Sequence, residues 1–420
     1  MKGNEMIACG LDFGTSNSAI GIARGDAVAL APLEDDRTLM PSAVFFDYEV
    51  HHVRFGSDAI SAYVGQTEGR LMRALKTILG SPLIDEKTSL GSRKVPLTEV
   101  VGIFVRHLKQ KAEIFAGQEI TAVVHGRPVR FVDGDDQADA RAQAVLETIA
   151  RESGFKHIVF VPEPIAAAWH YEQTVQGEEL VLIADIGGGT SDFSVIRIGP
   201  RRRGRVDRTE DILSTAGVRI GGTDFDSALS LAVVMPLLGL GTRLVEKDLP
   251  MPNALYHELA TWPTINFAYT YKNEREVAAL VLEACEPEKV GRLSTVLGKR
   301  LGHRIAFAVE DAKIALSAER EAAVALDFIE QELLAEATRA GFEGAIRTRT
   351  ARLYRTARDC IAAAGLDGAA IDTVFLTGGS SRVPAVRAAI AAAAPAARLA
   401  SGSDLLSVAS GLTQMAGRMA

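Results

Sequence analysis

The chain has 420 residues, 47% apolar and 24% charged, with a formal net charge of −7. That is enough to bury a large core and to form more than one domain, and the net acidity argues against general nucleic-acid binding. Cys9, Cys285 and Cys360 are far apart, odd in number and without metal-ligand spacing, which suits a reducing cytoplasm better than a disulfide framework.

In chain order, the first predicted element is a hairpin. MIACGLDFGTSNSAIGIAR (Met6 to Arg24) reads strand, Asp12, Gly14, Thr15-Ser16, Asn17, strand. It opens so close to the N-terminus that no signal peptide is expected. HIVFVPEPIAAAWHYE (His157 to Glu172) passes from a strand through Pro-Glu-Pro into an alanine-rich helix. TVQGEE (Thr174 to Glu179) is polar, contains a glycine and reads as a boundary.

LVLIAD (Leu180 to Asp185) is a short apolar run with β-branched members, as a buried strand requires. Gly187, Gly188, Gly189, Thr190, Ser191 and Asp192 follow, and then FSVIRI, which alternates with Phe193, Val195 and Arg197 on one side. A tight hairpin turn needs one glycine or two. The third suggests that something approaches the backbone closely, and successive backbone N–H groups make an anion-binding concavity. Asp185 and Asp192 would repel phosphate unless a divalent cation lay between them. Magnesium takes carboxylates and substrate phosphates together and keeps several waters. The turn therefore points to a magnesium nucleotide, against the alternative of an ordinary glycine-rich hairpin. The first hairpin repeats the pattern: Asp12 answers to Asp185, Gly14 to the glycine turn, Thr15-Ser16 to Thr190-Ser191, and Asn17 to Asp192. A long-range repeat of this kind suggests two similar lobes facing one ligand.

GPRRRGRVDR (Gly199 to Arg208) is a basic run between two predicted strands, read as a solvated loop rather than a docking patch. Glu310, Lys313 and Ser317 are spaced to share one helix face, which could clamp a ribose and an adenine edge or simply face solvent. IDTVFLTGGSSRVPAVRAAIAAA (Ile371 to Ala393) runs from strand through Gly378-Gly379-Ser380-Ser381 into a helix with Pro384 in its first turn. Such a junction offers free N–H groups and a positive dipole end. The alanine-rich stretch after it is broken by Pro395 and carries Arg398, so it is no membrane span. SDLLSVASGLTQMAGRM (Ser403 to Met419) reads as a last helix. His51, His52 and His303 show no metal-binding pattern, and the absence of GxxxxGK[ST] excludes a Walker-type ATPase.

In this order the motifs resemble the superfamily of actin, the sugar kinases and the heat shock protein 70 ATPases, and among these the heat shock protein 70 nucleotide-binding domain. GLDFGTSNSAIGIA is similar to that family's first phosphate loop, and RTLMPSAVFF (Arg37 to Phe46) to the segment after it. LKTILG (Leu75 to Gly80) resembles the stretch carrying the catalytic lysine, here Lys76. PEPIAAAWHY resembles the connecting segment, with Glu163 at a catalytic-site position. DIGGGTSDFSV is similar to the second phosphate loop, and STAGVRIGGTDFD (Ser214 to Asp226), with Gly221 and Gly222, to the segment that touches nucleotide. EDAKIALS (Glu310 to Ser317) resembles the adenosine helix and LTGGSSRVP the adenosine loop. The resemblance covers nearly the whole chain.

It implies an α/β, two-lobe actin-like ATPase fold of duplicated ribonuclease H-like domains, with inserted subdomains and a central nucleotide cleft. Lobe I is expected over residues 1–177 with the helix at 403–420, and lobe II over 178–402 with an enlarged insertion at about 228–309. The implied cofactors are ATP or ADP and Mg2+, with Asp12, Asp185 and Asp192 holding the hydrated metal. Lys76 and Glu163 would arrange the attacking water, with Asp12, Asp185 and Thr190 also in the catalytic set. Gly14, Thr15, Ser16, Asn17, Gly187, Gly188, Gly189 and Thr190 would cradle phosphates. Gly221, Gly222, Glu310, Lys313, Ile314 and Ser317 would hold the adenosine, together with Gly378, Gly379, Ser380 and Arg382. The implied function is an ATP-binding, chaperone-related protein that hydrolyses ATP slowly and controls a partner protein, a co-chaperone or client. No nucleic-acid or membrane partner is expected, and the expected location is the cytoplasm.

The chain departs from the family at Ile314, where an arginine usually packs on adenine; its loss removes a cation–π contact of roughly 0.5–2 kcal/mol. The segment between Asp226 and Glu310 is longer than usual. A hydrophobic linker and a β-rich peptide-binding domain would follow in the chaperones; the expectation here is the ATPase layout alone, as in the divergent bacterial YegD-like proteins. The alternatives are a nucleotide-gated scaffold or actin-like assembly protein, and a small-molecule kinase, which Lys76 in place of a base disfavours.

Overall fold

The computed structural model describes residues 7–24, 27–91, 93–203, 205, 208–245, 249–402 and 405–418. They fall into two compact units, Met1–Gly221 with Arg352–Ser381 and Val386–Ala420, and Gly222–Ala351 with Arg382–Ala385. The lobe boundary expected at 177/178 lies inside the first unit.

The first unit is built on two sheets of the same design. Strands β1 (Ala8–Phe13), β2 (Asn17–Arg24), β3 (Ala27–Leu30), β4 (Ala122–Arg127) and β5 (His157–Pro162) lie in the order β3-β2-β1-β4-β5. The β1–β2 and β2–β3 pairs are antiparallel, and β1–β4 and β4–β5 are parallel. Strands β6 (Glu179–Ile186), β7 (Ser191–Ile198), β8 (Ile212–Val218), β9 (Thr373–Thr377) and β10 (Arg398–Ser401) repeat that order and those senses as β8-β7-β6-β9-β10. The repeated sheet is the duplication on which the actin-like ATPase fold rests. Parallel neighbours need crossovers, and helices supply them. Helix α1 (Leu97–Ala116) buries Val101, Phe104, Val105 and Leu108 along one stripe. Helix α2 (Asp136–Glu152) is capped by Asp135, whose carboxylate accepts from Ala138 N at 2.9 Å.

One core joins both sheets. Helix α3 (Glu163–Glu172) buries every residue except His170, as a helix enclosed on all sides must. Ile165 to Trp169 pack with Val181, Ile183, Ile196 and Phe375 on one side and Ala8, Ala122 and Val124 on the other. Helix α6, the last, spans Ser407–Ala416, with helices α4 (Gly222–Leu229) and α5 (Gly302–Ala318) of the second unit preceding it in the chain. Residues 403, 404 and 419 of the expected terminal helix lie outside the described residues. Helix α6 packs so closely on α3 that a Cβ on Gly411 would lie 2.5 Å from the Ala166 carbonyl carbon. Gly411→Ala is therefore expected to destabilise the protein by about 2 kcal/mol, although alanine is the better helix former by about 1 kcal/mol. Gly291→Ala, at a helical glycine with open space around its Cβ position, is the control and should be neutral or stabilising. Urea unfolding of both variants checks the pair.

Two sequence expectations differ here. Strand β7 does not alternate: Phe193, Ser194, Val195, Ile196 and Ile198 are all buried, and only Arg197 is exposed. It lies inside the sheet and is covered on both faces, so its polar serine points inward as well. The basic run 199–208 is only partly solvated: Arg201 and Arg205 are exposed, Arg202 and Arg203 are half-buried and Arg208 is buried, while its residues 204, 206 and 207 lie outside the described ones. Arg208, 3% exposed at its side chain, forks onto Glu172 at the end of α3 with both contacts at 2.9 Å. It also pairs with Asp211 and lies over the Trp169 ring, 4.6 Å from its centroid. Arg202 pairs with Asp211 and with Glu178 at 2.5 Å, and Arg203 donates to the Glu172 carbonyl at 3.0 Å. Arg202, Arg203 and Arg208 serve an internal network because Glu172 and Glu178, before β6, and Asp211, just after the run, converge on them.

The second unit is mainly helical. Helices α4 and α5 pack on each other, the segments Tyr271–Glu283 and Pro287–Gly298 do likewise, and Glu321–Ala325 pairs antiparallel with Leu334–Thr338. Phe225, Trp262, Ile265, Val290, Leu293, Ile305 and Leu316 form its interior. Among the described residues, no helix is long and apolar enough to cross a membrane.

Candidate functional site

The two glycine turns meet. Asp12 and Asp185 stand at equivalent places near the ends of β1 and β6, the central strands of the two sheets. A Cβ on Gly188 would lie 3.2 Å from both Ser16 N and Thr15 Cβ, and one on Gly189 2.8 Å from Thr15 Oγ1. A Cβ on Gly221 would lie 2.5 Å from Gly188 C and Gly189 N. Gly221 is thus small because backbone packs on backbone there, and Gly188 and Gly189 because Thr15, Ser16 and Thr77 close on them. At Gly187 the nearest atom, Thr190 O, is 3.4 Å away, which leaves that face of the turn open. The sequence assigned all three glycines to ligand approach; the structure divides them between packing of the two turns and an open edge.

Hydroxyls brace both turns. Ser42 Oγ donates to Gly14 O at 2.7 Å and lies 2.8 Å from Ser18 Oγ, which accepts from Gly14 N at 3.2 Å. Gly187 N donates to Thr190 O at 2.9 Å, Ser380 Oγ to Gly187 O at 2.9 Å, and Ser191 Oγ to Ile220 O at 2.7 Å. Gly378 has φ +79, a left-handed conformation, and its Cβ position would lie 2.5 Å from Ile186 C and 2.7 Å from Asp185 Oδ1. Gly378 and Ser380 therefore stand beside the second turn, with Gly379 exposed between them.

The register corrects one equivalence. Asp185 pairs directly with Asp192, whereas Asp12 pairs with Ala19. Asn17 sits at the start of β2, paired with Pro41; both turns span four residues, 14–17 and 187–190, so Asn17 answers to Thr190 and Ala19 to Asp192. Asp192 has no acidic counterpart in the first hairpin.

Lys76 lies in the short turn Leu75–Ile78, preceded by Ala74 at φ 57, a left-handed conformation costly for a residue with a Cβ. Its ammonium, 5% exposed, pairs with Glu163 at the start of α3. Thr77 beside it is 3.1 Å from the Cβ position of Gly189, which brings the Lys76 turn against the second glycine turn. Four carboxylates, Asp12, Glu163, Asp185 and Asp192, act on this single ammonium or on one another. Burial on its own would lower the Lys76 pKa, but Glu163 and Asp12 hold it above the ordinary value. Burial first, then Glu163, pushes Asp12 and Asp185 well above the carboxylate range. The same causes raise Asp192 to about 7, against hydrogen bonds from Thr190 and Val129 N that lower it.

A carboxylate whose pKa is raised by folding stabilises the fold while protonated and loses that contribution as pH rises through the folded value. The ligand-free protein should lose stability between about pH 4 and about pH 7, by up to roughly 1.4 kcal/mol per unit for Asp192. Asp192→Asn should flatten that slope. Thermal unfolding against pH, with and without a divalent cation, checks both statements.

This excess of buried negative charge, made of hard oxygen ligands beside an open glycine edge, fits a divalent cation brought with an anion. Among the described residues, no group of three or more His, Cys, Asp or Glu side chains converges closely enough to hold a metal directly. The expected metal contacts run through water. Cys9 and Cys360 are buried and Cys285 is exposed.

The remaining expected residues lie in the second unit. Lys313 is buried on α5, with Nζ 2.7 Å from Asp226 Oδ1 and 3.4 Å from Gly222 O. Trp262 Nε1 donates to the other Asp226 oxygen at 3.2 Å. Burial raises the Asp226 pKa, Lys313 opposes that shift and Glu310 adds to it. Ser317 Oγ donates to Lys313 O at 3.2 Å, Ile314 is 60% exposed, and Arg382 is exposed. The sequence missed Asp226 as the partner of Lys313, Trp262 as a donor to Asp226, and Ser18, Ser42 and Thr77 around the turns. The Asp226–Lys313 pair spans 87 positions, and no local spacing reports it.

Duplicated sheets whose glycine hairpins meet beside buried carboxylates and a lysine define the actin-like ATPase fold. The Hsp70 protein family model matches residues 8–235 and 289–398. The chain belongs to that family, whose members are ATP-binding and chaperone-related, and residues 236–288 lie between the matched stretches.

Proposed function

We propose that this protein binds ATP with Mg2+, hydrolyses it slowly, and uses closure on the nucleotide to control a partner protein, a client or co-chaperone. The observation that carries this reading is the meeting of the two glycine turns beside the buried Lys76–Glu163 pair and the three aspartates. The chaperone-related layout also resembles the YegD-like branch, and a cytoplasmic setting fits it.

Phosphoryl transfer to water needs positioning and charge neutralisation more than covalent help from the protein. The N–H groups of the turns at Gly14–Asn17 and Gly187–Thr190 would receive phosphate oxygens. Asp12, Asp185 and Asp192 would hold the hydrated Mg2+, which neutralises phosphate charge when bound. Glu163 keeps the Lys76 ammonium in place, and Lys76 directs its positive charge toward the γ-phosphate and the attacking water. Gly221, Gly222, Glu310, Lys313, Ile314 and Ser317 would hold the adenosine, with Gly378, Gly379, Ser380 and Arg382. Because Lys313 is paired with Asp226, its contribution would be to shape that face and hand a shared proton donor to the ribose. The two hairpins, one per sheet, grip the same anion, so closure reports the γ-phosphate.

The test is calorimetric ATP binding and steady-state turnover by the purified chain with Mg2+. Binding with slow turnover supports the proposal. Binding without turnover would favour a nucleotide-gated scaffold, and absence of nucleotide binding would overturn both.

A further inference from the structure

We propose that Arg127 and Asp139 are a positioning pair that aims the Val129 backbone N–H at Asp192 and so sets where that carboxylate points; the functional consequence rests on the nucleotide-site reading above. Val129 N donates to Asp192 Oδ1 at 2.6 Å across 63 positions of sequence. Asp192 is 1% exposed, so its orientation depends on the few donors that reach it.

The loop carrying Val129 has one shape because one guanidinium and one carboxylate hold it from both sides. Arg127, the last residue of β4, donates from Nε to Pro128 O at 2.9 Å and from Nη2 to Val129 O at 3.1 Å. The same Nη2 reaches Asp139 Oδ2 at 2.9 Å, and Nη1 donates to Gln143. Asp139 Oδ1 accepts from Phe131 N at 2.5 Å and from Val132 N at 3.3 Å. Two consecutive carbonyls and two consecutive amides are thus fixed by side chains based on β4 and α2. The far end of the loop is tied down as well, since Asp133 accepts from Arg219 N at 3.0 and 3.2 Å. Gly217 on β8 leaves the space the loop occupies: a Cβ there would lie 2.9 Å from Asp192 Oδ1 and 3.2 Å from Arg130 N. Lysine could supply the charge of Arg127 but not its planar set of donors.

The experiment reads the amide directly. Pro128-Val129 is the only Pro-Val step in the chain, so labelling proline carbonyl carbon and valine nitrogen gives one resonance. In the wild type that amide should be shifted downfield and protected from exchange, and Asp192→Asn should move it. Arg127→Met, Arg127→Lys and Asp139→Asn should each shift it and shorten its protection. The same variants should raise the Mg2+ concentration for half-maximal ATP binding about tenfold, as outer partners of metal-holding groups do. ATP affinity without Mg2+ should stay the same. An unmoved Val129 resonance in folded Arg127→Met and Asp139→Asn overturns the proposal, as does full restoration of both readouts by lysine. Should the wild type bind no nucleotide, the functional reading falls while the amide shift still decides the positioning claim.

Discussion

Lys76→Met is expected to lower the rate of ATP hydrolysis by about 10²–10³-fold, with ATP affinity changed much less. Lys76 pairs with Glu163 and lies among Asp12, Asp185 and Asp192, which burial has made costly to charge. Its charge is worth most where negative charge gathers on the transferring phosphoryl group, because a dry site screens it little. Methionine keeps the length and packing of the stem and removes only the charge. It also strands Glu163, which is 7% exposed and loses its ion-pair partner. The single variant should therefore lose stability too, by a few kcal/mol. Adding Glu163→Gln should restore much of the stability and none of the turnover. Single-turnover hydrolysis, with thermal unfolding of the same samples, separates the two effects. A double variant that regained turnover would show that Lys76 acts through the fold and not on the phosphate.

Arg208→Met is expected to cost about 3–5 kcal/mol in stability, the largest loss predicted for any single side chain away from the turns. The substitution leaves Glu172, fully buried, without its cation, and Asp211, 2% exposed, with Arg202 in place of two close partners. The Glu172 carboxylate would keep one donor, Gly199 N at 3.0 Å. The lost contact with the Trp169 ring adds to the cost. Glu172→Gln beside Arg208→Met should recover part of the loss, since a neutral amide is easier to bury. Urea unfolding of the two singles and the double gives the coupling. A loss below about 1 kcal/mol for Arg208→Met would mean that the network is wet and behaves like a surface pair.

How much was legible beforehand follows from the range of each interaction. The strand–Asp–glycine–Thr-Ser motif is local, set by turn chemistry and by apolar runs of a few residues, and it appears twice. That repetition was enough to find both central hairpins, the alanine-rich helix between the sheets and the family to which the chain belongs. Asp12 and Asp185, read from the two turns, and Lys76 and Glu163, chosen by resemblance, lie near one another in the first unit. The alternation read in β7 failed because period alone cannot say whether a strand has one covered face or two.

By itself, then, the sequence determined the two hairpins, the order of the motifs, the excess of carboxylates near them and the placing of glycine in the turns. Only the tertiary structure decided what those glycines face, that Ala19 and not Asn17 stands opposite Asp12, and that Arg208 of the basic run is buried. It also decided that Val129 N–H holds Asp192. Turn chemistry and hydrophobic period act over a handful of neighbouring residues and leave a mark in the chain. A pairing across 36 positions, such as Glu172 with Arg208, or 63, such as Val129 with Asp192, depends on sheet register and on how deeply each group is buried. No single stretch of the chain carries that information.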